Sequence, residues 1–386
     1  MTAKSFCLPA AGPDVLARTL AELKDATRGE SRSAPALAGG IVFVSGALAL
    51  DPKAVAEAVR TAWRGVPACV VPAAGVLNEK NELEGVAAAS GVLWTGGRAA
   101  PFVVGQTPGD KEAEVLRRAS CAALFTRPDA FQPAEIEKLG LPSGAQVFGA
   151  GTVGTAPVLV SADGTLTQSD ACGLAIAGLA PVVDASAACK LLTPFYPIDE
   201  VLSGMVLRLG GRPALDVLSA LGGQTATEGA PPIVFAALAD EAEPAGRERY
   251  VVRPIRGIDP GRRGVMVGAE ARIGTRLAFA ARDASAGKEL LEQSARQVSV
   301  QTTGASARFL LYFTCAGRGQ GLYGAPGVES RILRKRFGDL PIAGMHSSFE
   351  LLPRSAVTSA EGARGSGPQV RVAMYSGVLA LFRSPS

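Results

Sequence analysis

The chain has 386 residues, 47% apolar and 19% charged, which excludes global disorder and fits two domains of average size. Its net charge of +4, from 39 basic and 35 acidic side chains, is too balanced for a nucleic-acid binder, which concentrates Lys and Arg on one face. His346 is the only histidine, so HExxH and His-rich zinc signatures are excluded and a Ser-His-Asp triad would have to use that one ring.

The amino terminus, MTAKSFCLPAAGPDVLARTL, has no apolar signal region. The longest apolar stretch, near Ala171 to Val183, is interrupted by Pro181 and falls short of the ~20 residues a bilayer crossing needs. A soluble, unexported, cytoplasmic protein without membrane insertion is expected. Six cysteines (7, 69, 121, 172, 189 and 315) contain no CxxC pair and read as reduced thiols.

In chain order, residues 13–27 carry the three-and-four apolar spacing of a helix opened by Pro and Asp. GGIVFVSGALALD (39–51) is an apolar run, PKAVAEAVRTAWRG (52–65) has helical period, and VPACVVPAAG returns as a buried strand. Residues 121–151 predict a strand, a turn, a helix and a glycine-marked turn. APVLVSADGTLTQSDACGLAIAG predicts a hairpin on its Asp-Gly pair. Residues 204–220 read as a strand, a Gly-Gly turn and a helix opened by Pro213. GGQTATEGAPP (222–232) is the best domain boundary, and SAEGARGSGPQ (359–369) reads as a surface loop.

The strand, small-residue loop, helix and Pro-led strand of residues 39–72 recurs as RFLLYFTCAGRGQG, APGVESRILRKRFGD and LPIAGMHSSFELLP. Residue identity between the copies is slight, so the repeat is of an α/β unit. The expected class is α/β, with α+β as the alternative: two related halves, each a mixed β-sheet with packed helices.

Gly319, Gly321 and Gly324 spell GxGxxG, the pattern of a dinucleotide-binding loop. The motif lies near the carboxyl end, Pro326 and Gly327 delay the helix, and the acidic candidate Asp339 falls in a turn before Pro341, so nucleotide binding is not expected. The loop is read instead as the rim of a small-molecule pocket at a strand end. Cys315 is either a packed thiol or a reactive one activated by Arg318 and loop N–H groups. The Arg318 guanidinium could clamp a carboxylate or form a structural ion pair. Glu350, if it points inward, needs Arg318 or a ligand amine as partner. Asp283 reads as a helix N-cap or a ligand contact, and His346 as a polar core histidine, a base or a haem ligand.

FTCAGRG followed by a glycine-rich loop, a helix, LPIAG, Glu-Leu-x-Pro and a final VLALF resembles the carboxyl-terminal half of the FIST family, the F-box and intracellular signal transduction proteins. RYVVRPIRGIDPGRRGVMVGAEARIGTRLAFAARD is similar to further pieces of that half, and AALFTRPDAF, VFGAGTVG and LRLGGRPALDVL to the amino-terminal half. The resemblance covers roughly residues 38–383 and divides the chain into an N-terminal helix and linker (1–37), a FIST N-like domain (38–225) and a FIST C-like domain (226–386). It implies a bacterial sensory module that binds amino acids or other small carboxylates and works through a separate signalling protein such as a histidine kinase. Some members bind haem, which makes His346 the alternative haem ligand; no other metal or cofactor is expected. The candidate ligand-binding set is Cys315, Gly317, Arg318, Gly319, Ser347, Glu350 and Asp283, with Cys315 the catalytic residue only in the alternative of a thiol-dependent enzyme.

Overall fold

The computed structural model describes residues 2–9, 13–29, 36–130, 132, 136–222, 233–240, 250–302, 306–353 and 370–384. Among these, three six-stranded sheets and one nine-stranded sheet, with helices packed on them, make a mixed α/β fold. No helix is long and apolar enough to cross a membrane among the described residues.

The first apolar run becomes the strand Leu37–Ser45, which is buried on both faces. Ile41 and Phe43 point into one core while Val42 and Val44 point into another, so neither face requires polar positions. Helix Pro52–Ala62, with proline at its start, buries Val55, Ala56 and Val59 and returns the chain to Ala68–Pro72, parallel to the first strand. The recurrent segment builds the same unit: Ala307–Cys315, helix Val328–Phe337 and the parallel strand Ile342–Ser347. A third parallel pair joins Cys121–Thr126 to Gln146–Gly151. Most of the helix the sequence predicts between them falls on residues 131 and 133–135, outside the described residues; the described ones hold helical Ile136 and a 3-10 turn, Glu137–Leu139.

The Asp-Gly hairpin forms as expected. Ala162 faces Thr165, and Asp163 and Gly164 take φ of 47° and 81°, the left-handed pair of a two-residue loop. Gly210 and Gly211 do the same at φ of 55° and 79° before helix Ala214–Ser219. The span expected as N-terminal helix and linker also contributes a strand, Ala3–Pro9, antiparallel to Ala88–Thr95.

Hydrogen-bonded ladders cross residue 225. One six-stranded sheet runs Ala180–Ala187, Ser376–Arg383, Ala307–Cys315, Ile342–Ser347, Gly75–Leu77 and Glu82–Glu84. In another, Glu350–Pro353 pairs with Gln146–Gly151. Most of the expected boundary segment and all of the expected surface loop, residues 223–232 and 359–369, lie outside the described residues.

The three six-stranded sheets share one core. Phe313 lies 5.7 Å from Phe125, 6.1 Å from Phe43 and 6.3 Å from Phe148, ring centroid to centroid, so each sheet contributes aromatic contact area. On the other face of its strand, Leu310 and Tyr312 pack under helices Ala284–Gln301 and Val328–Phe337. Both faces of Ala307–Cys315 are thereby fixed, and with them the loop that leaves its carboxyl end.

Candidate functional site

The strand Ala307–Cys315 and its parallel neighbour end together, with Cys315 opposite Ser347 in register. The carboxyl ends of parallel strands are where α/β sheets open crevices. Ser347 Oγ lies 3.0 Å from the Thr314 carbonyl oxygen and 2.8 Å from Glu350 Oε1, while the Ser376 N–H donates to Glu350 Oε2 at 3.3 Å. Glu350 is fully buried, and burial pushes its carboxyl up to about 8, against the opposing pull of Ser347, Arg318 and the Ser376 N–H. One hydroxyl proton on Ser347 cannot serve both acceptors. A protonated Glu350 resolves this by donating from Oε1 to Ser347 Oγ.

Cys315 sits beside this carboxyl and is 5% exposed. Burial, reinforced by Glu350, pushes its thiol up to about 11, although the backbone N–H groups of Gly317 and Tyr375 point at the sulfur. Of the two readings of Cys315, the burial favours the packed thiol over the reactive one, because desolvation outweighs the loop donors and the guanidinium. Cys189, nearby, is pushed by burial to about 12.

Of the two readings of Arg318, a ligand clamp or a structural ion pair, the structure shows the ion pair. Arg318 is fully buried: its Nε donates to Glu329 Oε1 at 2.7 Å, Nη1 to the Ser186 carbonyl at 3.0 Å, and Nη2 to Tyr323 Oη at 3.3 Å. Glu329 also accepts from Tyr312 and Tyr323 at 3.0 and 2.8 Å. Burial pushes the Glu329 carboxyl up, but Arg318 and its hydrogen bonds more than offset this and hold it below its ordinary value. Glu350 takes Ser347 and the Ser376 backbone as its partners, with Arg318 acting only through space.

Gly319 belongs to the opposite side of the loop. It lies in the short helix Gly319–Tyr323, and a Cβ there would stand 2.0 Å from Glu84 Oε2. The GxGxxG run is thus a helical turn closed by Gly324 at φ 69°, and the following helix starts only at Val328. Asp283 is the N-cap of helix Ala284–Gln301, its Oδ1 accepting the Ala286 N–H at 2.7 Å.

The exposed cation at this strand end is Arg282. Its guanidinium donates to the Gly317 carbonyl and stands 5.5 Å from the centre of the Tyr375 ring. Tyr375 has φ of 54°, a conformation that costs a non-glycine residue ~1 kcal/mol or more and persists only where its surroundings impose it. Its ring packs 4.7 Å from Phe235, and its carbonyl accepts the Ala188 N–H at 2.8 Å. Sequence reasoning passed over both residues. Arg282 shows only as the neighbour of a cap, and Tyr375 is adjacent to the strand end only through the pairing of Ser376–Arg383 with Ala307–Cys315. A cavity of about 320 Å³ lies elsewhere, against helix Asp110–Arg117, and none of these residues lines it.

His346 does not fit haem. It is 1% exposed, its Cδ2 would stand 3.0 Å from a Cβ at Gly75, and Nε2 faces Glu82 Oε1 at 3.4 Å. Nε2, an edge through which iron would bind, is faced by the Glu82 carboxylate, and the burial of the ring leaves no room for a macrocycle beside it.

Residues 214–353 match the family model of the FIST C domain. The matched segment is therefore similar to the FIST C domain, and it covers less than half of the chain. The match contains Arg282, Asp283, Cys315, Arg318, His346, Ser347 and Glu350, and begins before residue 226. Uncharacterized proteins of Mycobacterium bovis and Mycobacterium tuberculosis are each 25% identical over 201 residues, 50% of this chain and 50% of the relative. Another uncharacterized M. tuberculosis protein is 24% identical over 197 residues, 50% of this chain and 51% of the relative. The chain spans about half the length of the curated relatives it matches.

Proposed function

We propose that this chain is a small-molecule-binding sensory module in signal transduction, working through a separate output protein such as a histidine kinase, without a haem cofactor. The carrying observation is the layered strand end: a neutral carboxyl and a thiol, Glu350 and Cys315, lie behind a rim of Arg282, Gly317 and Tyr375. An amino acid or other small carboxylate suits the exposed Arg282 fork, which matches a carboxylate's two oxygens. Engaging it takes the guanidinium from the Gly317 carbonyl and frees Tyr375 to leave its constrained backbone state, and this changes the loop a partner would read.

A thiol-dependent enzyme needs a thiolate at Cys315, and burial opposes one. The test is a thermal-shift screen of amino acids, small carboxylates and haem. A carboxylate ligand is expected to raise Tm, as ligand linkage requires. Arg282→Ala should cancel the rise while the circular dichroism spectrum is unchanged, and Cys315→Ser should keep it. If no metabolite shifts Tm, the receptor reading gives way to a protein-interaction scaffold.

A further inference from the structure

We propose that Glu82, Glu84 and His346 form a binding site for a divalent first-row metal ion. Strand Glu82–Glu84 lies at the edge of the sheet, two strands from Ile342–Ser347, and its carboxylates converge on the imidazole. One donor atom from each of the three lies within 4.8 Å of the others. Donors around one ion stand no more than ~4.4 Å apart, twice a bond of about 2.2 Å, so a small side-chain adjustment closes the set.

The second observation is independent of this clustering. His346 Nδ1, His346 Nε2 and Glu82 Oε1 are buried and make no hydrogen bond. His346 is 1% exposed, as is the Glu82 side chain, and Nε2 and Oε1 face each other at 3.4 Å without the alignment of a hydrogen bond. Leaving such groups unpaired in the interior is costly, and an ion bound at Nε2 and Oε1 satisfies those two together.

The surroundings hold the donors as outer partners of a metal site do. Glu82 Oε2 accepts the Ser330 N–H at 3.1 Å, and Glu84 Oε1 accepts the Gln320 N–H at 2.8 Å, which leaves the other oxygen of each to turn toward the ring. Gly319 is the residue that admits the Glu84 carboxylate, since any Cβ there would overlap it. Glu84 is partly exposed beside exposed Gly85, which provides an entry path. One imidazole with two carboxylates suits Mn²⁺ or Zn²⁺ better than Ca²⁺, which takes oxygen ligands.

The experiment titrates the chelator-stripped full chain with Mn²⁺ followed by electron paramagnetic resonance, with Zn²⁺ by calorimetry, and with Ca²⁺ for comparison. Mn²⁺ is the deciding probe because carboxylate and imidazole hold it and buried thiols do not compete for it. The expected result is one Mn²⁺ per chain, a raised Tm, and Ca²⁺ binding at least tenfold weaker. Glu84→Gln should weaken Mn²⁺ at least tenfold, and His346→Gln should abolish uptake. Gly319→Ala, which displaces the Glu84 carboxylate without removing a ligand, should weaken it as well. Absence of saturable 1:1 uptake, or uptake that Glu84→Gln leaves intact in a folded protein, overturns the proposal and leaves the cluster a structural ion pair. If His346→Gln does not fold, the Glu84→Gln result decides alone. The metal readout is separate from the Arg282 ligand screen, so either can fail without the other.

Discussion

Arg318 and Glu329 form an ion pair at 2.7 Å with both side chains fully buried. It ties the loop after one parallel strand to the first turn of helix Val328–Phe337 and, through the Ser186 carbonyl, to a neighbouring strand. Removing one partner leaves an uncompensated charge in the interior, which costs about 3–5 kcal/mol. Glu329→Gln and Arg318→Met are each expected to lower stability by that order in urea unfolding. The double variant Arg318→Met/Glu329→Leu should lose less than the sum of the two, because neither charge is then stranded. Additive losses would show that the pair acts as two independent contacts.

Glu350 predicts a pH dependence of the opposite sign to that of an ordinary paired carboxylate. Its folded value, about 8, lies above the ordinary carboxyl value of 4.5 that applies on unfolding, so the folded state holds the extra proton between them. The contribution is fully present below ~4.5 and is lost as pH rises through about 8, with a slope approaching ~1.4 kcal/mol per pH unit inside the window. Glu350→Gln keeps the shape and removes the titration. Its stability profile, measured by denaturant midpoints from pH 5 to 8.5, should be flatter than that of the wild type. A parallel pair of profiles would mean that Glu350 is ionised in the folded state.

Cys315 predicts chemical silence. With its thiol near 11, about 0.1% is thiolate at pH 8, and access is further limited by its burial. A disulfide reagent such as DTNB should leave Cys315 unlabelled in the native chain for hours and label it at once in guanidinium, as read by peptide mass spectrometry. Cys315→Ser should change stability by less than ~1.5 kcal/mol, since only a small side chain is exchanged. Fast native labelling would restore the thiol-enzyme reading.

Elements governed by local chemistry were legible in the sequence. The Asp163-Gly164 and Gly210-Gly211 turns follow from the residues that tolerate positive φ, and both parallel units follow from apolar runs joined by a helical period. The helix at Val328 was delayed by Pro326-Gly327, as those residues require. What stayed hidden depends on pairing across long stretches of chain. Ala3–Pro9 has a mixed burial pattern and becomes a strand through Ala88–Thr95. Glu82 and Glu84 look like ordinary surface acids until the strand pairing sets them against His346, and Arg318 looks free until the fold brings Glu329 back to it from the next helix. Spacing along the sequence carries no record of such meetings.

The last prediction concerns how the three six-stranded sheets cooperate. Phe313 is fully buried and contacts Phe43, Phe125 and Phe148 from different strands, while Tyr312, its neighbour, faces the other way into the Arg318–Glu329 network. Phe313→Ala removes the ring that several sheets share, and a buried Phe→Ala change typically costs about 3–5 kcal/mol. Because Cys315 follows two residues later on the same strand, a loosened core should also loosen the strand end. Urea unfolding of Phe313→Ala should show the loss in one cooperative transition, and DTNB should now reach Cys315 in the native state. Phe313→Leu, which retains most of the apolar volume, should recover much of the stability and the thiol protection together. Recovery of stability without protection would mean that the loop is held by the buried ion pair alone and that the core does not position it.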